Sequence, residues 1–444
     1  MSEDTVFALS SPVGGAIAIV RITGSGAYAA LGRVFRCKNA PEHRVMNYGH
    51  VIDPESGETI DSAMACFLKA PATYTGEDMA EIYIHGSRVI AKRTLSVLSR
   101  FLRPAEGGEF TKRAFMNGKL DLSQAEAVMD VISSVTEQGA RMAEEQLAGS
   151  IGSGIKDIED RLIDILSGVE AALDYPDELE EDTVSSLENE LAPIIEKLDY
   201  LIRGGNVARI FREGAAVAIL GAPNAGKSSL FNALMGTERA IVTSIPGTTR
   251  DTLEETLDIC GAPVRITDTA GIREGADEAE RIGVERAKKA GERADLILIA
   301  IDGTKPIEEE SRALINAAKR GEYRKCLILF TKADKQGFGT DESCAEFAPI
   351  SISSVTGEGI EELKERMAAL LLTKEAESAL VTNSRHIHAL AEAKAALETA
   401  DAAMGTDLAA ADIRTALYAL GQITGREVTA DVIERIFSRF CVGK

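Results

Sequence analysis

Residues 215–236 read AAVAILGAPNAGKSSLFNALMG. Six small or branched apolar residues form a strand, GAPNAGKS (221–228) a glycine-rich turn, and SLFNALMG a helix. That succession is the context a phosphate-binding loop requires. Gly221 and Gly226 let backbone N–H groups close on phosphate oxygens, and Lys227 reaches the β and γ oxygens. The Ser228 hydroxyl is a magnesium ligand, while Asn224, Ala225 and Ser229 complete the turn. A purely structural strand-to-helix turn is the alternative. Strand, lysine, serine and helix in this order favour the nucleotide.

Outward from this turn, residues 213–375 alternate apolar strands with helical segments, the sign of a parallel sheet. After AAVAIL (215–220) the strands are PVRITD (263–268), ADLILIAID (294–302), KCLILF (325–330) and FAPISI (347–352). Between them lie the remaining parts of a GTPase, in the order the fold needs. GTTRD (247–251) offers Thr249 as a second magnesium ligand, and Asp268, Thr269, Ala270 and Gly271 form the loop that meets metal and γ-phosphate. In TKAD (331–334) Asp334 accepts from the two adjacent N–H groups of guanine, where adenine offers an acceptor and a C–H. Lys332 and Ala333 flank it, and Thr331 stands where most GTPases have asparagine. SSVTGEG (353–359), with Ser353, Ser354 and Val355, fits the last base-contacting loop and is the weakest of the five motifs.

The stretch DTAGIREGADEAERIG (268–283) departs from Ras-like enzymes, which orient the attacking water with a glutamine after the glycine. Ile272 stands there and has neither donor nor acceptor. Four carboxylates follow: Glu274, Asp277, Glu278 and Glu280. They are solvated loop charges, or one of them replaces the glutamine.

The 444 residues correspond to roughly three domains of about 150. The formal charge is 49 − 70 = −21, so no basic field covers the whole surface and any nucleic-acid contact is local or delegated. The start, MSEDTVF, is acidic where a signal peptide is basic, and no apolar run reaches the ~18 residues of a membrane span. A soluble cytoplasmic protein is expected. Six cysteines without a Cys-x-x-Cys pair are expected to be reduced thiols. His386 and His388 lack further ligands nearby, so exposed or capping roles are expected rather than a metal site.

Residues 1–118 mix β-rich runs, AIAIVRI (16–22) and AEIYIHG (80–86), with Gly and Pro, which predicts an α/β or α+β unit. Residues 119–212 are helical, with a stripe through Leu187, Leu191, Ile194, Ile195, Leu198, Leu201 and Ile202 that Gly204-Gly205 is expected to end. Residues 376–444 are alanine-rich and helical again, as in ALAEAKAALETADAAM (389–404). The organisation is one helical domain interrupted by the α/β insert, or two separate bundles.

Outside the nucleotide motifs, four stretches carry a family signature: GGAIAIVRITG (14–24), YTGEDMAEIYIHGS (74–87), GEFTKRAFMNGKLDLSQAEAV (108–128) and ITGREVTADVIERIFSRFCVGK (423–444). With them the chain resembles, over nearly its whole length, the MnmE (TrmE) family of tRNA-modification GTPases. Ser87, where a second glycine is expected, and Thr331 depart from the pattern. The resemblance implies a multidomain α/β plus all-α architecture. Its parts are a folate-binding α/β domain at 1–118 that also dimerises, a helical domain from 119–212 and 376–444, and an inserted Ras-like P-loop domain at 213–375.

It further implies a potassium-dependent GTP hydrolase that works as a homodimer with the flavoprotein MnmG in a heterotetramer. That complex adds an aminomethyl or carboxymethylaminomethyl group at C5 of the wobble uridine of certain tRNAs. The one-carbon unit comes from tetrahydrofolate, in its 5-formyl or methylene form. Carried onto this chain, Arg21, Glu81, Lys119 and Lys444 are implied folate contacts, Cys441 a functional cysteine, and Glu280 the catalytic residue that acts beside Lys227. Potassium is implied at Asn224, Thr243, Ile245 and Thr248, inside a nucleotide-covering loop that also contains Ser244, Pro246 and Gly247. Without the resemblance, Arg21 and Lys119 read as surface charges, Cys441 as a small hydrophobe, and Asn224 as a turn cap. Arg250 or Arg273 as an arginine finger is the alternative to potassium. The alternative function is a regulatory or ribosome-assembly GTPase whose first domain only docks; such proteins usually append a basic RNA-binding module, and none is seen here.

Overall fold

The computed structural model describes residues 4–237, 256–267, 294–372, 383–400, 405–438 and 440–443. The chain divides into two compact units, Met1–Met129 with Leu147–Gly152 and Gly421–Lys444, and Asp130–Gln146 with Ser153–Leu420.

The first unit is built on β1 (Val6–Leu9), β2 (Ile17–Thr23), β3 (Phe35–Cys37), β4 (Met46–Ile52), β5 (Thr59–Leu68), β6 (Met79–His85) and β7 (Arg103–Pro104), in the order β3-β4-β5-β6-β2-β1-β7. All pairings are antiparallel except β1 with β7. Period-two alternation decides what each face does. Ala18, Val20 and Ile22 of β2 and Ile82 and Ile84 of β6 are buried, in one core with the helices Ala27–Val34 and Arg88–Leu98. Helix Ala27–Val34 presents Ala27, Ala30, Leu31 and Val34 to that core. Full burial of Leu31 and Val34 stabilises the packing by roughly 1.5–3 kcal/mol each. The residues between, Arg21, Glu81 and Tyr83, are only partly buried. The end of the chain belongs to this unit: Phe437 and Phe440 pack with Leu122, Ala125 and Phe115, and Val442 bridges Gly107.

The second unit holds β8 (Ala215–Leu220), β9 (Thr256–Ile259), β10 (Ala262–Thr267), β11 (Leu296–Asp302), β12 (Cys326–Thr331) and β13 (Ile350–Ser351), in the order β13-β12-β11-β8-β10-β9. Among the described residues, only the β9/β10 pair of this sheet is antiparallel. All seven residues of β11 are buried, and they alternate between two cores. Leu296, Leu298 and Ala300 join Leu230, Leu234, Leu363 and Met367 on one face, while Ile297, Ile299 and Ile301 join Ile315 and Cys344 on the other. A parallel sheet covered on both faces explains why these strands read as unbroken apolar runs.

The helices of this unit correct one expectation. Helix Pro176–Glu213 runs through Gly204-Gly205 and ends only at Gly214, whose φ is 76°. Two interior glycines cost about 1 kcal/mol each. Beyond them, buried Ala208, Ile210 and Phe211 and an Arg209–Asp295 ion pair of 2.6 Å offset that cost. The late helix Ser384–Thr399 is tied to this long helix by Lys394 and Asp199, 2.6 Å apart, and Arg414 reaches Glu170 at 2.6 Å. Segments from both ends of the α/β insert are therefore in contact. His386 is also not as expected. It is fully buried, with Arg385 Nη2 2.9 Å from its Nε2, and the helix cap is Asn383, whose side chain accepts from Arg385 N. His388 is exposed and faces Glu392 at 3.2 Å.

Candidate functional site

The carboxyl ends of β8, β11, β12 and β13 meet along one edge of the parallel sheet, where α/β folds hold ligands. The turn after β8 is pulled tight against β11: Gly221 has φ 150°, and a Cβ there would collide with the Ala300 carbonyl oxygen. Asn224 (φ 63°) and Gly226 (φ 88°) hold the left-handed backbone that closes the turn. Asn224 is exposed, Ala225 is buried, and Ser228 and Ser229 lie exposed in the first turn of helix Lys227–Thr237. Lys227 Nζ donates to the carbonyls of Gly221, at 2.7 Å, and Ala222, at 2.8 Å, so the ammonium lies across the mouth of the loop. A row of backbone N–H groups at a helix start, with an ammonium beside it, suits a phosphate.

Thr331 ends β12 and is 2% exposed. Its hydroxyl donates toward Ala225 O, 2.8 Å away, and Ile301 O, 3.1 Å away. The residue that departs from the asparagine pattern thus ties β12 to the phosphate turn. Lys332, with φ 65°, carries its Nζ to Asp302 Oδ2 at 2.5 Å, and Thr304 donates to Asp302 Oδ1 from both N and Oγ1. Burial opposes ionisation of Asp302, but the hydrogen bonds from Lys332 and Thr304 outweigh it and hold the pKa at about 2. Asp302 was not singled out from sequence. Its signal was an acidic residue closing an otherwise apolar strand, ILIAID.

Asp334 lies exposed at the rim, and the Ser353 hydroxyl donates to its Oδ1 at 2.6 Å. Ser353 is fully buried and accepts from the backbone N of Val355 and of Thr356, at 3.3 and 3.1 Å. Ala333 N donates to Ile352 O, which joins the two loops. The hydrogen bond from Ser353 lowers the Asp334 pKa below the ordinary carboxylate value. An ionised, oriented acceptor is therefore held just past β12, the strand whose Thr331 bonds the phosphate turn. Ser354 is half-buried, and Val355 is 82% exposed. Thr243 to Thr249, Arg250, Asp268 to Gly271, Ile272, Arg273, Glu274, Asp277, Glu278 and Glu280 lie outside the described residues.

In the first unit, β2 and β6 place Arg21 opposite Glu81, and Arg21 Nε donates to Glu81 Oε1 at 2.7 Å. Tyr83 Oη donates to the other oxygen at 2.5 Å, a partner not singled out from sequence although the alternation in AEIYIHG puts it on the Glu81 face. Burial raises the Tyr83 pKa, and the bond to Glu81 adds to this, to about 12. Lys119 has a separate partner, donating to Pro71 O at 3.1 Å. Cys441 is half-buried, its carbonyl accepting from Gly108 N at 3.2 Å. Lys444 lies outside the described residues. A cavity of about 560 Å³ lined by Arg103, Glu109, Lys112, Arg113 and Glu434 includes none of the expected folate, nucleotide or cation ligands. Its cations Arg103 and Arg113 already pair with Asp4 and Glu109. Among the described residues, no helix is long and apolar enough to cross a membrane.

Known proteins resemble this chain over its whole length. Residues 5–119 match the family description "GTP-binding protein TrmE N-terminus", and residues 122–441 match "MnmE helical domain". The chain is 39% identical to the tRNA modification GTPase MnmE of Natranaerobius thermophilus, with 100% of each protein covered. It is 41% identical to that of Acetivibrio thermocellus, with 100% of this chain and 99% of the relative covered. Among solved structures, the G domain of the T. maritima FeoB iron transporter aligns with 36% of this chain and 99% of its own, at 32% identity and a TM-score of 0.27. From its first β-strand to its carboxyl-terminal helix, the chain belongs to the tRNA modification GTPase MnmE family.

Proposed function

We propose that this chain is a potassium-dependent GTP hydrolase that acts with the flavoprotein MnmG on the wobble uridine of certain tRNAs. The observation that carries the reading is the joining of two loops on one sheet edge: Thr331 Oγ1 to Ala225 O links the base-reading strand to the phosphate turn. Asp334 accepts from guanine, and Lys227 leaves its two carbonyls for the β and γ oxygens. Ser228 fits magnesium, being an exposed hydroxyl in the first helical turn beside that lysine, with Thr249 as the second protein ligand. Asn224 fits a potassium site: its left-handed, exposed position on the turn leaves the amide oxygen at the rim, and Thr243, Ile245 and Thr248 complete the set.

The domains we assign are 1–118 for folate binding and dimerisation, 119–212 with 376–444 for the helical domain, and 213–375 for the G domain. Pairing of G domains across the dimer completes the active state. At the folate site, Arg21 and Glu81 form one charged pair with Tyr83 behind it, and Lys119, Lys444 and Cys441 are the further residues assigned to the pocket. A pterin presents an amide-like edge that suits a carboxylate, and the folate glutamate tail suits cations. Bound tetrahydrofolate supplies the one-carbon unit for C5 of the uridine. The protein's residues orient it.

Titration with 5-formyltetrahydrofolate checks the assignment. We expect saturable binding that Glu81→Gln weakens by on the order of tenfold or more while the protein remains folded. Absence of folate affinity, together with tight rRNA binding, would instead establish a ribosome-assembly GTPase with a docking domain.

A further inference from the structure

We propose that this chain reads guanine without a hydrogen bond to the base N7, because Thr331 has no hydrogen left to give. The inference rests on the GTP reading above. With phosphates on the turn 221–228 and the N1/N2 edge at Asp334, the imidazole edge of the base faces the turn, where residue 331 lies. N7 is an acceptor and needs a donor. A threonine hydroxyl has one hydrogen. Here it lies between two backbone carbonyls, Ala225 O and Ile301 O, which can only accept. Turning it to N7 would leave those buried carbonyls without it. Nor is the residue free to swing into solvent, since it is only 2% exposed at the end of β12. An asparagine at this position has two N–H donors and serves a carbonyl and N7 at once.

Three neighbouring donors are engaged elsewhere. Lys332 Nζ is held by Asp302, Ala333 N donates to Ile352 O, and Lys335 N donates to Lys332 O. Base choice therefore falls on Asp334, at the opposite edge. The chain should accept guanine nucleotides altered at N7 and reject those altered at the exocyclic amine. In exchange, the Thr331 tie fixes the phosphate turn whether or not a base is present.

The test is competition against a fluorescent GDP by GTP, 7-deaza-GTP, inosine triphosphate and ATP on the intact protein. GTP and 7-deaza-GTP are expected to compete within about twofold of each other, and inosine triphosphate on the order of tenfold more weakly. In Thr331→Asn, a preference for GTP over 7-deaza-GTP of about fivefold should appear. A wild-type preference of that size would overturn the proposal even if the variant fails to fold. Equal competition by ATP, or none by GTP, would instead overturn the GTP reading and the proposal with it.

Discussion

Asp334→Asn should reverse the base preference of the protein. GTP affinity is expected to fall by roughly a hundredfold to ten-thousandfold, from the loss of two charge-assisted hydrogen bonds at about 1.5–3 kcal/mol each. Xanthosine triphosphate, with a carbonyl where guanine has its amine, should bind the variant better than GTP does. The geometry makes the effect specific. Ser353 holds Oδ1 at 2.6 Å and is itself fixed by two backbone N–H groups, so the second side-chain oxygen position is set by a rigid loop. Asparagine has the same shape and, at an exposed position, leaves the fold intact. Competition titrations with both nucleotides decide it; an unchanged preference for GTP would remove Asp334 from the base site.

The second large effect is in hydrolysis. Ile272 cannot orient water, so we assign that task to Glu280, twelve positions after Asp268. A carboxylate directly beside phosphate oxygens is repelled, so we propose that Glu280, the residue the family resemblance implies, acts through a bridging water. Glu280→Ala is expected to slow single-turnover hydrolysis on the order of a hundredfold or more, with GTP affinity little changed. A fixed monovalent cation beside Asn224 would stabilise the transition-state charge as an arginine finger does. The wild-type rate should accordingly be high in potassium and low in sodium at matched ionic strength. Near wild-type turnover of the variant would end the assignment of Glu280, and equal rates in the two salts would end that of the cation site.

The main G-domain strands were legible because β8, β11 and β12 are largely buried apolar runs bounded by turn residues, and AAVAIL coincides with β8. The short hairpin strand β9 was not. TLDI is four residues long, and its turn is set by Asp258 accepting from Gly261 N and by Cys260 at φ 50°, neither of which the composition announces. Gly204-Gly205 misled because propensity is local, whereas Phe211 and Arg209 are held by partners distant in sequence. Lys227, Asp334 and Ser353 were legible from motif order. The partners of two other site residues, Asp302 for Lys332 and Tyr83 for Glu81, come from a neighbouring strand or the same strand face and become visible only with the register.

We propose that GTP hydrolysis by this chain serves tRNA modification. The direct measurement is nucleoside analysis of tRNA incubated with this protein, the flavoprotein MnmG, GTP, potassium and a methylene donor of the folate type, each omitted in turn. A C5-modified wobble uridine should form in the complete mixture and disappear when this protein, GTP or the folate is left out. Full GTP hydrolysis with no modified uridine in the complete mixture would contradict the account.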